Sequence, residues 1–290
     1  MWRPTSPPQR AAKEPLILPP NFPQRVEALA CDLDRTLIAA DVELRPRTQA
    51  AIAAARKDGL VVLIATGRMF RSVRPYALRA GITAPIVCYQ GAVVADPVSG
   101  EFLRHVPLPI AEAFEVIEAT ADLGHTVLCY VGDELFVARE TPASEAYANF
   151  QDLTVNVVGD LGSWLTEPPT KLVTVGAPED MDALEVVMKA RFDGRLYIAK
   201  SLPHFLEFAA PEVTKAYGLQ FVADRLGFAR EATVAFGDGE NDVELLEWAG
   251  YSVAVANGHE RVVAAADFVC PSVDEEGVAQ VIEALLDSRR

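Results

Sequence analysis

The segment ALACDLDRTLIA, residues 28–39, carries an apolar run into two aspartates one residue apart, Asp32 and Asp34. Side chains at i and i+2 of an extended chain point to the same side, so both acids can address one locus. Farther along, GDGEND (237–242) supplies Asp238, Glu240, Asn241 and Asp242. Brought together, such acids repel by kilocalories each in a partly desolvated site. Raised pKa values or a bound cation must offset that. An oxygen-only set without His or Cys suits a hard cation, and Mg²⁺ is the natural choice. Mg²⁺ keeps waters and takes phosphate oxygens as ligands, which points to a phosphate substrate. Thr66, the backbone around Gly67 and the ammonium of Lys215 are the donors a phosphoryl group needs. Together these groups make a site for phosphoryl transfer, where positioning and charge neutralisation dominate.

The elements that must hold these residues can be read from the apolar rhythm. VEALACDL, LVVLIATG and APIVCYQ read as buried strands, separated by helical segments RPRTQAAIAAARKDG and RMFRSVRPYALRAG, with Pro75 inside the second. Buried strands alternating with helices imply a parallel sheet covered on both faces. The rhythm then changes to hairpins around DPVSG and GDE, the helix IAEAFEVIEATADLG, the strand TKLVTVGA, the helix EDMDALEVVMKARF and the extended run RLYIAKSLPHFLEFA. From Val213 the strand–helix alternation resumes to the end. The expected fold is therefore α/β, a doubly wound, Rossmann-like and mostly parallel sheet, interrupted by an inserted α/β block and then completed. In such sheets ligands sit beyond the carboxyl ends of the strands. Asp32, Asp34, Thr66, Gly67, Arg68 and the 238–242 group all fall there.

Composition narrows the function. The chain has 290 residues and a formal net charge of −15, from 26 basic and 41 acidic side chains. That is a poor match to a nucleic-acid binder, which carries basic patches. No apolar run reaches the roughly 18 residues of a membrane span. Residues 1–24 are proline-rich, lack an apolar signal-peptide core and read as a disordered leader, so a cytoplasmic protein is expected. Cys31, Cys88, Cys129 and Cys270 form no C-x-x-C pair and read as buried free thiols; the four histidines show no zinc spacing.

DLDRT (32–36), ATGR (65–68), Lys215 within APEVTK, and GDGEND (237–242) resemble, in that order, the four motifs of the haloacid dehalogenase (HAD) superfamily of phosphatases. YQGAVV, AVANGHERVVAAADFV and DEEGVAQVI resemble segments of its Cof-type branch, which carries a large α/β cap called C2B. The resemblance covers roughly residues 25–288. It implies a core of 25–107 and 208–290 and a C2B-type cap of 108–207. It implies that Asp32 is the nucleophile forming an aspartyl-phosphate, and that Asp34 is general acid and then base. Mg²⁺ would be held by the carboxylates of Asp32 and Asp238 and the backbone carbonyl of Asp34, with Asp242 acting directly or through water. Thr66, Gly67 and Lys215 would bind phosphoryl oxygens, and Asn241 would position Lys215 or the phosphate. Asp34 separates phosphatases from the dehalogenase members, which lack this second aspartate and the metal.

Arg68, Gln90 and His204 are candidate substrate contacts. Arg68 either fixes its loop by pairing with an acid or faces the substrate. His204 either reaches the cleft or is structural. Glu240 reads as a surface acid or an outer support of the metal ligands. Two positions depart from the branch: Arg35 stands where glycine is usual, and Gln90 where asparagine is usual. Arg35 is expected to be tolerated, exposed at the turn or paired with a cap or leader acid. The implied function is a Mg²⁺-dependent phosphatase on a small phosphorylated metabolite, acting without nucleic-acid or membrane partners as a monomer or weak homodimer. A phosphomannomutase-like phosphotransferase and a non-catalytic phosphometabolite-binding protein are the alternatives.

Overall fold

The computed structural model of the chain describes residues 15–290. The first part of the core contains β1 (Ala28–Cys31), α1 (Pro46–Lys57), β2 (Val61–Ile64), α2 (Phe70–Arg79), β3 (Ile86–Cys88), β4 (Val93–Ala95) and β5 (Phe102–His105). The insertion follows as α3 (Ile110–Asp122), β6 (Thr126–Val131), β7 (Glu134–Val137), α4 (Pro142–Gln151), β8 (Val155–Val157), α5 (Leu161–Trp164), β9 (Lys171–Val175), α6 (Pro178–Phe192), β10 (Tyr197–Leu202) and β11 (Phe205–Ala209). The chain returns to the core with α7 (Lys215–Leu226), β12 (Thr233–Gly237), α8 (Val243–Trp248), β13 (Tyr251–Val255), α9 (Glu260–Ala265), β14 (Phe268–Cys270) and α10 (Gly277–Ser288).

The main sheet has the order β14-β13-β12-β1-β2, every pair parallel. β1 is central, with Ala28 beside both Thr233 and Val61. Its alternation feeds two separate cores. Ala28 and Ala30 pack with Leu219 and Val222 of α7 and Leu245 of α8. Leu29 and Cys31 pack with Ile52 of α1 and Ile282 of α10. Both faces are thus covered by helices, as continuous apolar strands require. Helix ends follow local chemistry. Pro46 opens α1, and the Thr214 hydroxyl accepts from the Tyr217 N–H to cap α7, which stops at left-handed Gly227. All four cysteines are buried free thiols. No described helix is long and apolar enough to cross a membrane.

The cap sheet has the order β10-β11-β9-β6-β7-β8, antiparallel except for the parallel pair β7·β8. One face packs on α3 and α6 through Leu172, Phe208, Val116 and Met188. The other presents Leu128, Tyr130 and Val173 to the core's own cluster. The cap is also latched by polar contacts. Asp133, in the β6–β7 turn, accepts from the Arg71 N–H at the start of α2 and from the Tyr89 hydroxyl, both at 2.8 Å. Ser72 of α2 donates to the Gln151 carbonyl at 2.9 Å.

The structure departs from the sequence expectations in three places. The leader, expected to be disordered over 1–24, is packed on the core within its described part, residues 15–24. Leu16, Leu18 and Phe22 pack on the core, with Phe22 against the Tyr251 ring at 4.9 Å. Those apolar side chains supply burial that the proline content concealed; residues 1–14 lie outside the described residues. β3, read as a third strand of the parallel sheet, begins instead an antiparallel three-stranded unit β3-β4-β5, joined to β2 through a single parallel bridge, Ala65–Val87. The run α4–β8–α5 was not foreseen, and β11 continues to Ala209, two residues beyond the segment expected for the cap.

The turn after β3 bears directly on α7. Tyr89, Gln90 and Gly91 all have positive φ (51°, 58° and 105°), and a Cβ on Gly91 would lie 2.0 Å from the Thr214 carbonyl oxygen at the cap of α7. That oxygen is backbone and cannot swing away. Gly91→Ala is expected to lower unfolding stability by about 3 kcal/mol in urea denaturation. A Gly227→Ala control has open space around its Cβ, so only the cost of its left-handed φ should show.

Candidate active site

The acidic cluster forms where β1 and β12 end. Asp32 still belongs to the sheet, its N–H bonding the Phe236 carbonyl at 2.9 Å. The chain then turns tightly, the N–H groups of Leu37 and Ile38 both bonding the Leu33 carbonyl and that of Arg35 the Ile38 carbonyl. At the end of β12 the backbone N–H groups of Asp238 and Gly239 converge on Asp242 Oδ2 at 3.0 and 2.9 Å. A Cβ at Gly237 would lie 2.6 Å from Asp242 Cβ, so this fold-back needs glycine there. Carboxylate oxygens of Asp32, Asp238 and Asp242 consequently lie within 4.8 Å of one another, all three residues buried.

Lys215, the first residue of α7, supplies the balancing charge. Its Nζ donates to Asp32 Oδ1 and Asp242 Oδ1, both at 2.6 Å. Burial works to lower the pKa of this ammonium, but Asp242 and Asp32 outweigh it and hold the pKa above its ordinary value. Burial, then the neighbouring aspartates, push the Asp32 carboxyl well above the usual range despite the opposing pull of Lys215. Asp238 is raised to about 7, chiefly by burial and then by Asp242, against the pull of Arg35, Lys215 and the Thr36 hydroxyl. Three buried acids against Lys215 and Arg35 leave one formal negative charge in excess, in a set of oxygen ligands only. That donor set fits a hard divalent cation.

Asp34 stands outside this trio. Its carboxylate accepts two bonds from Arg68, Nε to Oδ2 at 2.8 Å and Nη2 to Oδ1 at 2.6 Å. Arg68 is only 3 % exposed, bonds Ser72 Oγ, and lies near the rings of Tyr76 and Phe150. Of the two roles open to Arg68, pairing with an acid is the one the geometry contains, and the same side chain also lines the cavity above the acids. Thr66 Oγ1 accepts from the Arg68 N–H at 3.1 Å. Gly67 lets Gln90 approach, since a Cβ there would sit 2.5 Å from Gln90 Nε2. Gln90 Oε1 accepts from Asn241 at 3.2 Å, so Asn241 is held by Gln90 and not by Lys215.

Three outlying residues find other places. His204 sits in the β10–β11 turn of the cap, not where the chain returns to the core; it is exposed, its Nδ1 3.1 Å from the Gly176 carbonyl oxygen, and it does not line the cavity. Glu240 pairs with Arg261 on the surface at 2.8 Å. Arg35 is half-exposed at the turn, but its acidic partner is in neither cap nor leader. Its Nε is 3.4 Å from Asp238 Oδ2, its Nη2 donates to the Asn257 carbonyl, and Asn257 Nδ2 donates back to the Arg35 carbonyl. The reason is backbone geometry: φ at Arg35 is +61°, the left-handed region where glycine is at ease, and this aims the side chain across the end of the sheet.

A cavity of about 190 Å³ lies between the core acids and the cap. Its cap walls are Phe150, Gln151, Ser201, Leu202, Phe205 and Glu207. Sequence reasoning missed all of these, and Lys171 as well, whose Nζ donates to the Gly67 carbonyl at 3.0 Å and to Glu207 at 2.9 Å. One signal was available for α4: Thr141 followed by Pro142 and Ser144 is an N-cap, a first-turn proline and a reciprocal capping residue. Nothing local marks Lys171 or Glu207.

Residues 29–282 match the family model of the haloacid dehalogenase-like hydrolases. The chain belongs to that family. It is a phosphate monoester hydrolase of the family's phosphatase kind, Cof-type. It is 33 % identical over 262 residues to 5-amino-6-(5-phospho-D-ribitylamino)uracil phosphatase YitU of Bacillus subtilis, covering 88 % of this chain and 96 % of that one. It is 26 % identical over 262 residues to pyridoxal phosphate phosphatase YbhA of Escherichia coli, covering 88 % and 96 %. Among solved structures, a haloacid dehalogenase-like hydrolase from Bacteroides thetaiotaomicron superposes with a TM-score of 0.81 at 27 % identity, over 89 % of this chain and 99 % of that one.

The central ion cluster carries a stability prediction. Lys215→Met leaves Asp32 and Asp242 buried without their cation and is expected to cost about 3–5 kcal/mol by urea denaturation in metal-free buffer. A loss under 1 kcal/mol would show that the acids find compensation elsewhere.

Proposed function

We propose that the chain is a Mg²⁺-dependent phosphatase of small phosphorylated metabolites that works through an aspartyl-phosphate on Asp32. The observation carrying this reading is the buried Asp32–Lys215–Asp242 cluster, with Asp238 beside it, at the floor of a cavity roofed by the cap. Asp32 is aimed by the sheet and by Lys215, and its Oδ2 makes no hydrogen bond among the described residues. Attack by that carboxylate on phosphorus expels the ester oxygen, which needs a proton. Asp34, the second acid of the pair, supplies it, and then takes a proton from the water that cleaves the acyl phosphate. A carboxylate accepting two N–H bonds from Arg68 has no proton to give, so at least one of those bonds must open for the acid step. Lys215 and the N–H groups near Gly67 receive the phosphoryl oxygens.

The carboxylates of Asp32 and Asp238, the backbone carbonyl of Asp34 and, directly or through water, Asp242 would hold Mg²⁺. When bound, the ion supplies charge neutralisation of the phosphoryl group. The cap excludes water and selects the leaving group. The two curated relatives act, by their names, on a phosphoribitylaminouracil and on pyridoxal phosphate; both are small phosphorylated metabolites, the class proposed here.

With Mg²⁺ and p-nitrophenyl phosphate, purified protein is expected to release phosphate, Asp32→Asn to fall to background, and Asp34→Asn to lose about 10²–10⁴-fold in kcat. A wild type no faster than Asp32→Asn across a broad metabolite panel would overturn the reading. Separately, Mg²⁺ is expected to raise the melting temperature of the wild type in a concentration-dependent way and to leave Asp238→Asn unshifted. Equal shifts for both proteins would place the ion elsewhere.

A further inference from the structure

The cap places at the cavity, alongside Ser201, two residues with hydrogen-bond acceptors that the phosphatase chemistry does not use. Gln151, the last residue of α4, is 9 % exposed, and its Oε1 is buried with no hydrogen-bond partner. Glu207, in the middle of β11, is 4 % exposed. Its Oε2 accepts from Lys171 at 2.9 Å, and its Oε1 makes no hydrogen bond among the described residues. Both residues line the cavity.

Neither placement is incidental. Leu206 and Phe208 on either side of Glu207 pack with the cap helices, so strand alternation turns Glu207 to the opposite face, toward the core. Lys171 fixes it there, anchored at its other bond to the Gly67 carbonyl. Gln151 is held by the bond from Ser72 Oγ to its own carbonyl. An unpartnered buried acceptor costs about 1–3 kcal/mol, and native structures rarely leave one without a reason. Two residues with unused acceptors on one cavity wall make a site for donors.

We propose that Gln151 and Glu207 are specificity-determining residues that take a leaving group bearing hydroxyl or N–H donors beside an apolar face, and reject a leaving group with a second negative charge. This rests on the phosphatase reading above. The phosphoryl group is an acceptor and an anion, so it is turned away from this wall and toward Lys215, which fixes the orientation of the ester. Phe150, Leu202 and Phe205 supply the apolar face. Both guanidinium groups at the cavity are already paired, Arg68 with Asp34 and Arg35 with Asp238, so a second anion has to compete with these acids for them.

The test is a matched comparison of kcat/KM for xylitol 5-phosphate, n-pentyl phosphate and phosphoglycolate. These share the phosphate; the first two also share chain length and differ in hydroxyls. The wild type is expected to prefer the pentitol ester over the pentyl ester by about 10-fold or more and to be slowest on phosphoglycolate. Gln151→Leu and Glu207→Gln are each expected to cut the pentitol-to-pentyl ratio by about 10-fold, and Glu207→Gln also to raise the relative rate on phosphoglycolate. Melting curves on both variants check the fold, and Gln151→Leu keeps the test open if Glu207→Gln unfolds through its buried ion pair. A wild type that prefers the pentyl ester, or ratios unchanged in a folded variant, would overturn the assignment while leaving the phosphatase reading intact. A wild type that releases phosphate from p-nitrophenyl phosphate but turns over none of the three esters would overturn this assignment and leave the phosphatase reading intact.

Discussion

Holding three carboxylates within 4.8 Å of one another inside a protein is unfavourable unless positive charge and hydrogen-bond donors are brought to them. Much of the architecture serves that need. α7 begins at Lys215, which puts a fully buried ammonium between Asp32 and Asp242. The turn after β12 folds back so that two backbone N–H groups meet Asp242. Thr36 and Arg35 close on Asp238 from the first loop. Even Gly91, which has no side chain to bring, matters because the turn containing it presses against the cap residue of α7. The remaining excess of negative charge is the chemical opening a cation would fill.

The cap is tied to the same loop that is proposed to receive the phosphoryl group. Lys171 bonds the Gly67 carbonyl, the Phe150 ring lies 5.8 Å from the Arg68 guanidinium, and the Asp133 side chain satisfies the first turn of α2 just downstream. Arg68 in turn holds Asp34. The segment Gly67–Arg68 is therefore the place where the state of the cap and the position of the second aspartate meet. Movement of the cap breaks contacts on both sides of that segment at once.

The core side of the site was legible because each of its residues stands beside a recognisable boundary. Asp32 and Asp34 end an apolar strand, Thr66 and Gly67 end another, Lys215 follows a capping threonine, and Asp238 and Asp242 bracket a turn into a helix. The cap side was not legible, because its residues meet only through tertiary pairing. Lys171 and Glu207 are 36 residues apart and touch across neighbouring strands. Gln151 ends a helix whose start was marked but whose end was not. Arg35 could be recognised as unusual, yet its partner Asn257 lies 222 residues away. Pattern reports which face a residue takes; it does not report what stands opposite after the sheet has closed.

The insertion has a consequence for how the chain comes together during synthesis. Every strand of the cap sheet lies between Thr126 and Ala209, so that sheet has all its partners before the core does. β1, by contrast, pairs on one side with nearby β2 and on the other with β12, Ala28 against Thr233. Until β12 has been made, this fully buried strand carries an open edge, a template for wrong pairing with other chains. Completing that edge is the same event that delivers Asp238 and Asp242 to Asp32, so a nascent chain acquires its charge cluster only when the open edge of β1 is closed.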